Sequence, residues 1–188
     1  MSLPNLLTGA RVALVPVFFV FAVKAGNGIT PQGEMNSASW IAAGVFALAS
    51  ATDYADGYLA RRYKSATPLG EWLDPLADKL LVGAALIALV AYRAFPLWAA
   101  VVIAVREVIV AVLRSMAIKR DHSMPAAFAG KLKTSVQLAM VLAWLFPRQG
   151  VGLVVQDIVL WLAVALTIVS GAQYLAKSRE LLSPRAGI

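Results

Sequence analysis

Four aspartates are the residues of this chain best suited to chemistry. They fall in two stretches, Asp53-Tyr54-Ala55-Asp56-Gly57-Tyr58-Leu59-Ala60-Arg61 and Gly70-Glu71-Trp72-Leu73-Asp74-Pro75-Leu76-Ala77-Asp78-Lys79. Each stretch lies at the end of an apolar segment, where an ionised carboxylate costs about 2.5–3.5 kcal/mol to insert in a bilayer helix. Four close together would also raise one another's pKa unless something strongly positive neutralised them. Asp53 and Asp56 are three apart, Asp74 and Asp78 four apart, so each pair shares a helical face. Carboxylates converging from two helices make an oxygen cage for one or two divalent cations, and paired metals suit phosphoryl transfer. Gly57 would let a ligand approach the backbone. Ala60 and Arg61 continue that face, and Arg61 offers a planar fork to phosphate oxygens.

A second polar cluster is basic. Arg106, Glu107 and Arg114 interrupt the fourth apolar segment, and Lys131, Lys133, Thr134 and Gln137 open the fifth. Two readings stand side by side: a phosphate pocket built from Arg106, Arg114, Lys131, Lys133 and Thr134, or an interhelical ion pair of Glu107 with Arg114 plus interface lysines. Glu107 could also serve both by orienting an arginine.

The elements that must position these groups are legible from hydropathy. The 188 residues are 60% hydrophobic and 14% charged, with a mean hydropathy of +0.74. A soluble domain is closer to half apolar and a quarter charged. Six apolar segments run from about Leu6 to Val23, Ser39 to Leu59, Trp72 to Tyr92, Leu97 to Ile118, Thr134 to Phe146 and Gly152 to Ala176. Most approach the ~20 residues that cross ~30 Å of hydrocarbon; the fifth needs its polar first turn to help span. The expected fold is an all-α integral membrane protein of six transmembrane helices, one domain over residues 1–188. Leu3-Pro4-Asn5-Leu6-Leu7-Thr8 reads as a short interfacial segment, with Asn5 placed to cap the first helix. A cleavable leader ending near Ala25-Gly26 is not expected, because five further apolar segments follow.

Charge sets orientation. With both termini cytoplasmic, the inner side holds Arg11, Arg61, Arg62, Lys64, Lys119, Arg120, Lys131, Lys133, Lys177, Arg179 and Arg185, and the outer side Lys24, Arg93 and Arg148. Eleven against three is a positive-inside bias. The net charge of +7 then reflects topology and attraction to anionic membrane lipids rather than nucleic-acid binding. Cysteine is absent and His122 is the lone histidine, which excludes thiolate and His-rich metal sites and leaves carboxylates for hard ions such as magnesium or manganese. His122, Glu34 and Asp157 read as loop or helix-end residues.

The spacing Asp-x2-Asp-Gly-x2-Ala-Arg-x8-Gly-x3-Asp-x3-Asp, met by Asp53, Asp56, Gly57, Ala60, Arg61, Gly70, Asp74 and Asp78, resembles the signature of the CDP-alcohol phosphotransferases. The resemblance implies a six-helix membrane fold, commonly dimeric, with a cytoplasm-facing polar cavity. It implies two magnesium or manganese ions held by Asp53, Asp56 and Asp74 with Asp78 contributing, and Asp78 as the base that deprotonates the acceptor hydroxyl. Gly57, Arg61 and Thr67 would sit against the CDP portion of the lipid donor, with Ala60 and Gly70 on the same donor side. Within the family, Leu3–Thr8 with Arg11, Leu73–Lys79, Arg106-Glu107, Leu113-Arg114 and Gly130–Thr134 are similar to members that transfer a phosphatidyl group from CDP-diacylglycerol to glycerol 3-phosphate in the bacterial cytoplasmic membrane. Relatives using phosphatidylglycerol, serine or inositol phosphate share several of these markers. A transporter with charged residues along its path is the alternative from another class; it leaves the Gly, Ala and Arg among the aspartates unexplained.

Overall fold

The computed structural model describes residues 3–31, 33–63, 68–118 and 128–182, with side chains over 9–31, 33–52, 77–117 and 132–178. Six helices occur among these residues: α1 Leu3–Ala25, α2 Ser37–Tyr63, α3 Pro68–Tyr92, α4 Leu97–Ile118, α5 Phe128–Leu145 and α6 Val151–Leu182. The only extended pairing among them is an isolated bridge between Ile29 and Met35. The all-helical expectation is met, and each apolar segment lies within one helix except that Phe146 follows the end of α5. One helical stretch of the described side chains, Val151–Ser178, is long and apolar enough by length and composition to cross a membrane.

Two expectations change. The N-terminal stretch is continuous with α1, which starts at Leu3, so Asn5 lies inside the first turn and is not the cap. Pro4 suits that turn, since its fixed φ matches a helix and its missing N–H has no intrahelical acceptor there. The fifth helix begins at Phe128, six residues before Thr134, and takes Lys131 and Lys133 into its first turns.

The chain packs as two compact units, Met1–Pro96 with Val141–Gln156, and Leu97–Met140 with Asp157–Ile188. In the first, α1 packs against α2 and α3. The buried faces follow helical spacing: Ser39, Ala42, Phe46 and Ala49 on α2, and Ala77, Leu81, Ala85 and Leu89 on α3. Small residues on these faces allow close helix approach, and Phe18 meets Phe46 at 5.4 Å between ring centroids. Asn36 caps α2 by accepting from the Ser39 N–H at 2.9 Å and donates to the Ala25 carbonyl at 2.8 Å.

One end of this unit is tied by Arg93. Its guanidinium, 7% exposed, donates to the Asn27 carbonyl at 3.3 Å, the Leu145 carbonyl at 3.0 Å and Ser39 Oγ at 2.7 Å. Burial lowers its pKa, although an arginine stays charged in any case. Gly28, at φ +86°, lies directly beneath the guanidinium, where a Cβ would collide with it. Gln156 donates to the Ala143 and Phe146 carbonyls that end α5, at 2.8 and 3.1 Å. These bonds gather the C-terminal ends of α1, α3 and α5 with the N-terminal ends of α2 and α6, so within this unit α1, α2 and α3 alternate in direction. In the second unit α4 and α6 run parallel: Trp98 meets Trp161, Arg106 meets Ser170 and Arg114 meets Tyr174.

Candidate functional site

The aspartates ride on unbroken helix. Positions 53 and 56 continue the buried α2 stripe of Phe46 and Ala49 by four and seven residues, and position 74 lies one turn before Asp78 on α3. Ser50 and Thr52 donate to the Phe46 and Ala49 carbonyls, both at 2.8 Å, which satisfies the hydroxyls leading up to Asp53. Because α2 leaves the Arg93 end and α3 returns to it, both aspartate pairs are carried to the opposite end of the unit. Asp78 is half-buried and has an interaction partner. The side chains of Asp53, Asp56, Asp74, Arg61, Ala60 and of the Gly57 and Gly70 positions lie outside the described residues, as does Thr67 entirely. The donor set fits a hard divalent cation: carboxylates at i,i+3 and i,i+4 on two continuous helices, in a chain without cysteine.

The basic cluster is built by α4, α5 and α6 in the second unit. Glu107 pairs with Lys133 and with Arg106, the latter at 3.4 Å. Their side chains are 23%, 5% and 12% exposed, so this is an ion-pair cluster largely removed from water. The Glu107–Arg114 pair of the alternative reading is not formed among the described residues. Glu107 turns to Lys133 across the helices, and Arg114 instead donates to the Tyr174 hydroxyl at 3.0 Å. Arg106 donates from its other terminal nitrogen to Ser170 Oγ at 3.0 Å, while its buried Nε has no hydrogen-bond partner among the described residues. Thr134 is half-buried and engaged, and the Lys131 side chain lies outside the described residues. Gln137, 2% exposed and one turn after Lys133, leaves Oε1 without a partner among the described residues.

Arg106 and Lys133 thus meet on Glu107 while Arg114 is held on Tyr174, which gathers three basic side chains of the kind that receive a phosphate. Ser170, Gly171 and Tyr174 were not singled out by the sequence. Their signal is nevertheless present: Thr167, Ser170, Gly171 and Tyr174 put polar and small residues at i, i+3, i+4 and i+7 of an otherwise apolar helix.

A helical chain that carries a carboxylate signature on two adjacent helices and a basic cluster on three others has the parts of a membrane phosphotransferase. Residues 1–169 match the CDP-alcohol phosphatidyltransferase family, and the chain belongs to it. Enzymes of this family generally use divalent metals. The chain is 40% identical over 192 residues to the CDP-diacylglycerol–glycerol-3-phosphate 3-phosphatidyltransferase of Bacillus subtilis, covering 96% of this chain and 97% of that protein. It is 39% identical over 177 residues to a probable phosphatidylglycerophosphate synthase of Mycobacterium tuberculosis, covering 94% and 81%. A CDP-diacylglycerol–glycerol-3-phosphate 3-phosphatidyltransferase of Rickettsia felis is 35% identical over 177 residues, covering 92% and 93%.

Proposed function

We propose that this chain transfers the phosphatidyl group of CDP-diacylglycerol to glycerol 3-phosphate, giving phosphatidylglycerophosphate and CMP. Relatives that carry this reaction in their names match nearly the whole chain. The observation that carries the acceptor choice is the clustering of three basic side chains in Arg106–Glu107–Lys133 and Arg114–Tyr174.

In this reading Asp53, Asp56, Asp74 and Asp78 hold the metal ions. When bound, two magnesium or manganese ions would offset the charge developing on the diphosphate oxygens. Gly57, Ala60, Arg61, Thr67 and Gly70 hold the CDP portion of the lipid donor. Arg106, Arg114, Lys131, Lys133 and Thr134 hold the acceptor's phosphate. Asp78 accepts the proton of the acceptor hydroxyl as that oxygen bonds to the phosphatidyl phosphorus and the bond to CMP breaks. The six helices act as one catalytic domain over residues 1–188, six times across a bacterial cytoplasmic membrane with both termini inside, and as a homodimer. The alternation of helix direction in the first unit and the parallel α4 and α6 of the second support the even number of crossings.

The test is metal-dependent CMP release by the purified chain in mixed micelles. Asp78→Asn is expected to lower turnover by about 10²–10⁴-fold while CDP-lipid still binds, and Asp53→Asn or Asp74→Asn to raise the metal requirement or abolish activity. Near-normal turnover in Asp78→Asn would remove it from the mechanism. Ion flux without CMP release would favour the transporter.

A further inference from the structure

Both arginines of the basic cluster end on α6. Tyr174, 4% exposed, lies between them: the guanidinium carbons of Arg106 and Arg114 stand 5.8 and 5.9 Å from its ring centroid. Its hydroxyl accepts from Arg114 at 3.0 Å. One turn earlier Ser170, fully buried, accepts from Arg106 at 3.0 Å and donates to the Thr167 carbonyl at 3.2 Å, so both roles of its hydroxyl are filled. Between them Gly171 leaves room for the arginine stem: a Cβ there would stand 3.2 Å from Arg106 Cγ.

A long arginine free at a lipid or solvent boundary samples many rotamers, and ordering one on substrate binding lowers affinity. Here the ordering is done in advance. Arg114 is fixed through one nitrogen by Tyr174, Arg106 through its two terminal nitrogens by Ser170 and Glu107, and each is backed by a ring face, a cation–π arrangement that holds the guanidinium in place. The Arg106 Nε, buried and without a partner among the described residues, is one donor left over. A buried tyrosine needs some partner for its hydroxyl. A purely structural solution would use a nearby carbonyl, whereas Tyr174 uses Arg114, a side chain that is otherwise largely exposed.

The geometry points to α6 as the positioning surface of the acceptor-phosphate site. Tyr174 and Ser170 act as positioning residues that hold Arg114 and Arg106 at a fixed spacing for a phosphate monoester, and Gly171 provides the space. This rests on the proposal that these arginines receive the acceptor's phosphate.

Steady-state kinetics on the full chain, varying glycerol 3-phosphate and CDP-diacylglycerol separately, test it. Tyr174→Phe keeps the ring and removes one hydroxyl. It is expected to raise the acceptor KM by about 3- to 10-fold, with the donor KM and kcat within about twofold of the parent. Because the hydroxyl acts through Arg114, Tyr174→Phe combined with Arg114→Ala should have the acceptor KM of Arg114→Ala alone. Ser170→Ala with Arg106→Ala forms a parallel cycle, and keeps the test decisive if one tyrosine variant folds poorly. Multiplicative effects in both cycles, or equal changes in both KM values, would overturn the positioning role while leaving the arginines as phosphate ligands. An unchanged acceptor KM in both Arg114→Ala and Arg106→Ala would overturn the phosphate-site reading and this inference with it.

Discussion

Lys133 shows what the basic cluster demands of single residues. It is almost completely buried, 5% exposed at the side chain, and its charge is balanced by Glu107. A buried pair of this kind adds little net stability when intact, but removing one member leaves a charge stranded in a low-dielectric setting at about 3–5 kcal/mol. Glu107 is partly exposed and Lys133 has a further interaction, so the lower end of that range applies. Glu107→Gln is therefore expected to lower thermal stability in detergent clearly, and Glu107→Gln with Lys133→Met to recover much of the loss. Thermal unfolding of the two variants checks this; equal destabilisation in both would mean the pairing does not matter. At this scale the aspartate spacing is legible as a pattern, because it is local, while the carboxylates of Asp53, Asp56 and Asp74 lie outside the described residues. The partners of the arginines are not legible in this way. Glu107 lies on the expected face for Arg114, seven residues away, yet its choice of Lys133 depends on where α5 falls, and no local spacing encodes that.

At the scale of elements, the apolar blocks revealed all six helices, but their ends were misjudged by a few residues wherever the helix continues through charge. The sixth runs to Leu182 because Ala176-Lys177-Ser178-Arg179-Glu180 is made largely of good helix formers, even though its hydropathy has ended. The Arg93 tie was hidden for a different reason. Its acceptors include main-chain carbonyls 66 and 52 residues away, which carry no side-chain signature. Gly28 is the sensitive point of that tie, since its φ of +86° is strained for any other residue and its Cα is covered by the guanidinium. Gly28→Val is expected to destabilise the protein by about 2–3 kcal/mol through strain and displacement of Arg93. Enzyme that remains folded should keep the parent's KM for both substrates. A melting temperature equal to the parent's would show that the tie is dispensable.

At the scale of the whole molecule, large apolar side chains stand exposed along several helices: Ile87 62%, Leu97 64%, Val108 63% and Trp161 62%. In water such surface would drive association; against lipid tails it needs no cover. The proposed topology, with both termini inside, assigns Arg148 to the outer side of the membrane and Arg185 to the inner. The chain has no cysteine, so single cysteines at these positions report sidedness without background. Arg148→Cys should react with an impermeant maleimide in intact cells, and Arg185→Cys only after permeabilisation. The reverse pattern would invert the topology. The most direct measurement concerns the reaction itself. Purified protein with CDP-diacylglycerol and magnesium or manganese is offered glycerol 3-phosphate, phosphatidylglycerol, serine and inositol phosphate in separate reactions, and lipid product and CMP are both quantified. The expected result is stoichiometric phosphatidylglycerophosphate and CMP with glycerol 3-phosphate and little with the others; transfer to serine or phosphatidylglycerol but none to glycerol 3-phosphate would contradict it.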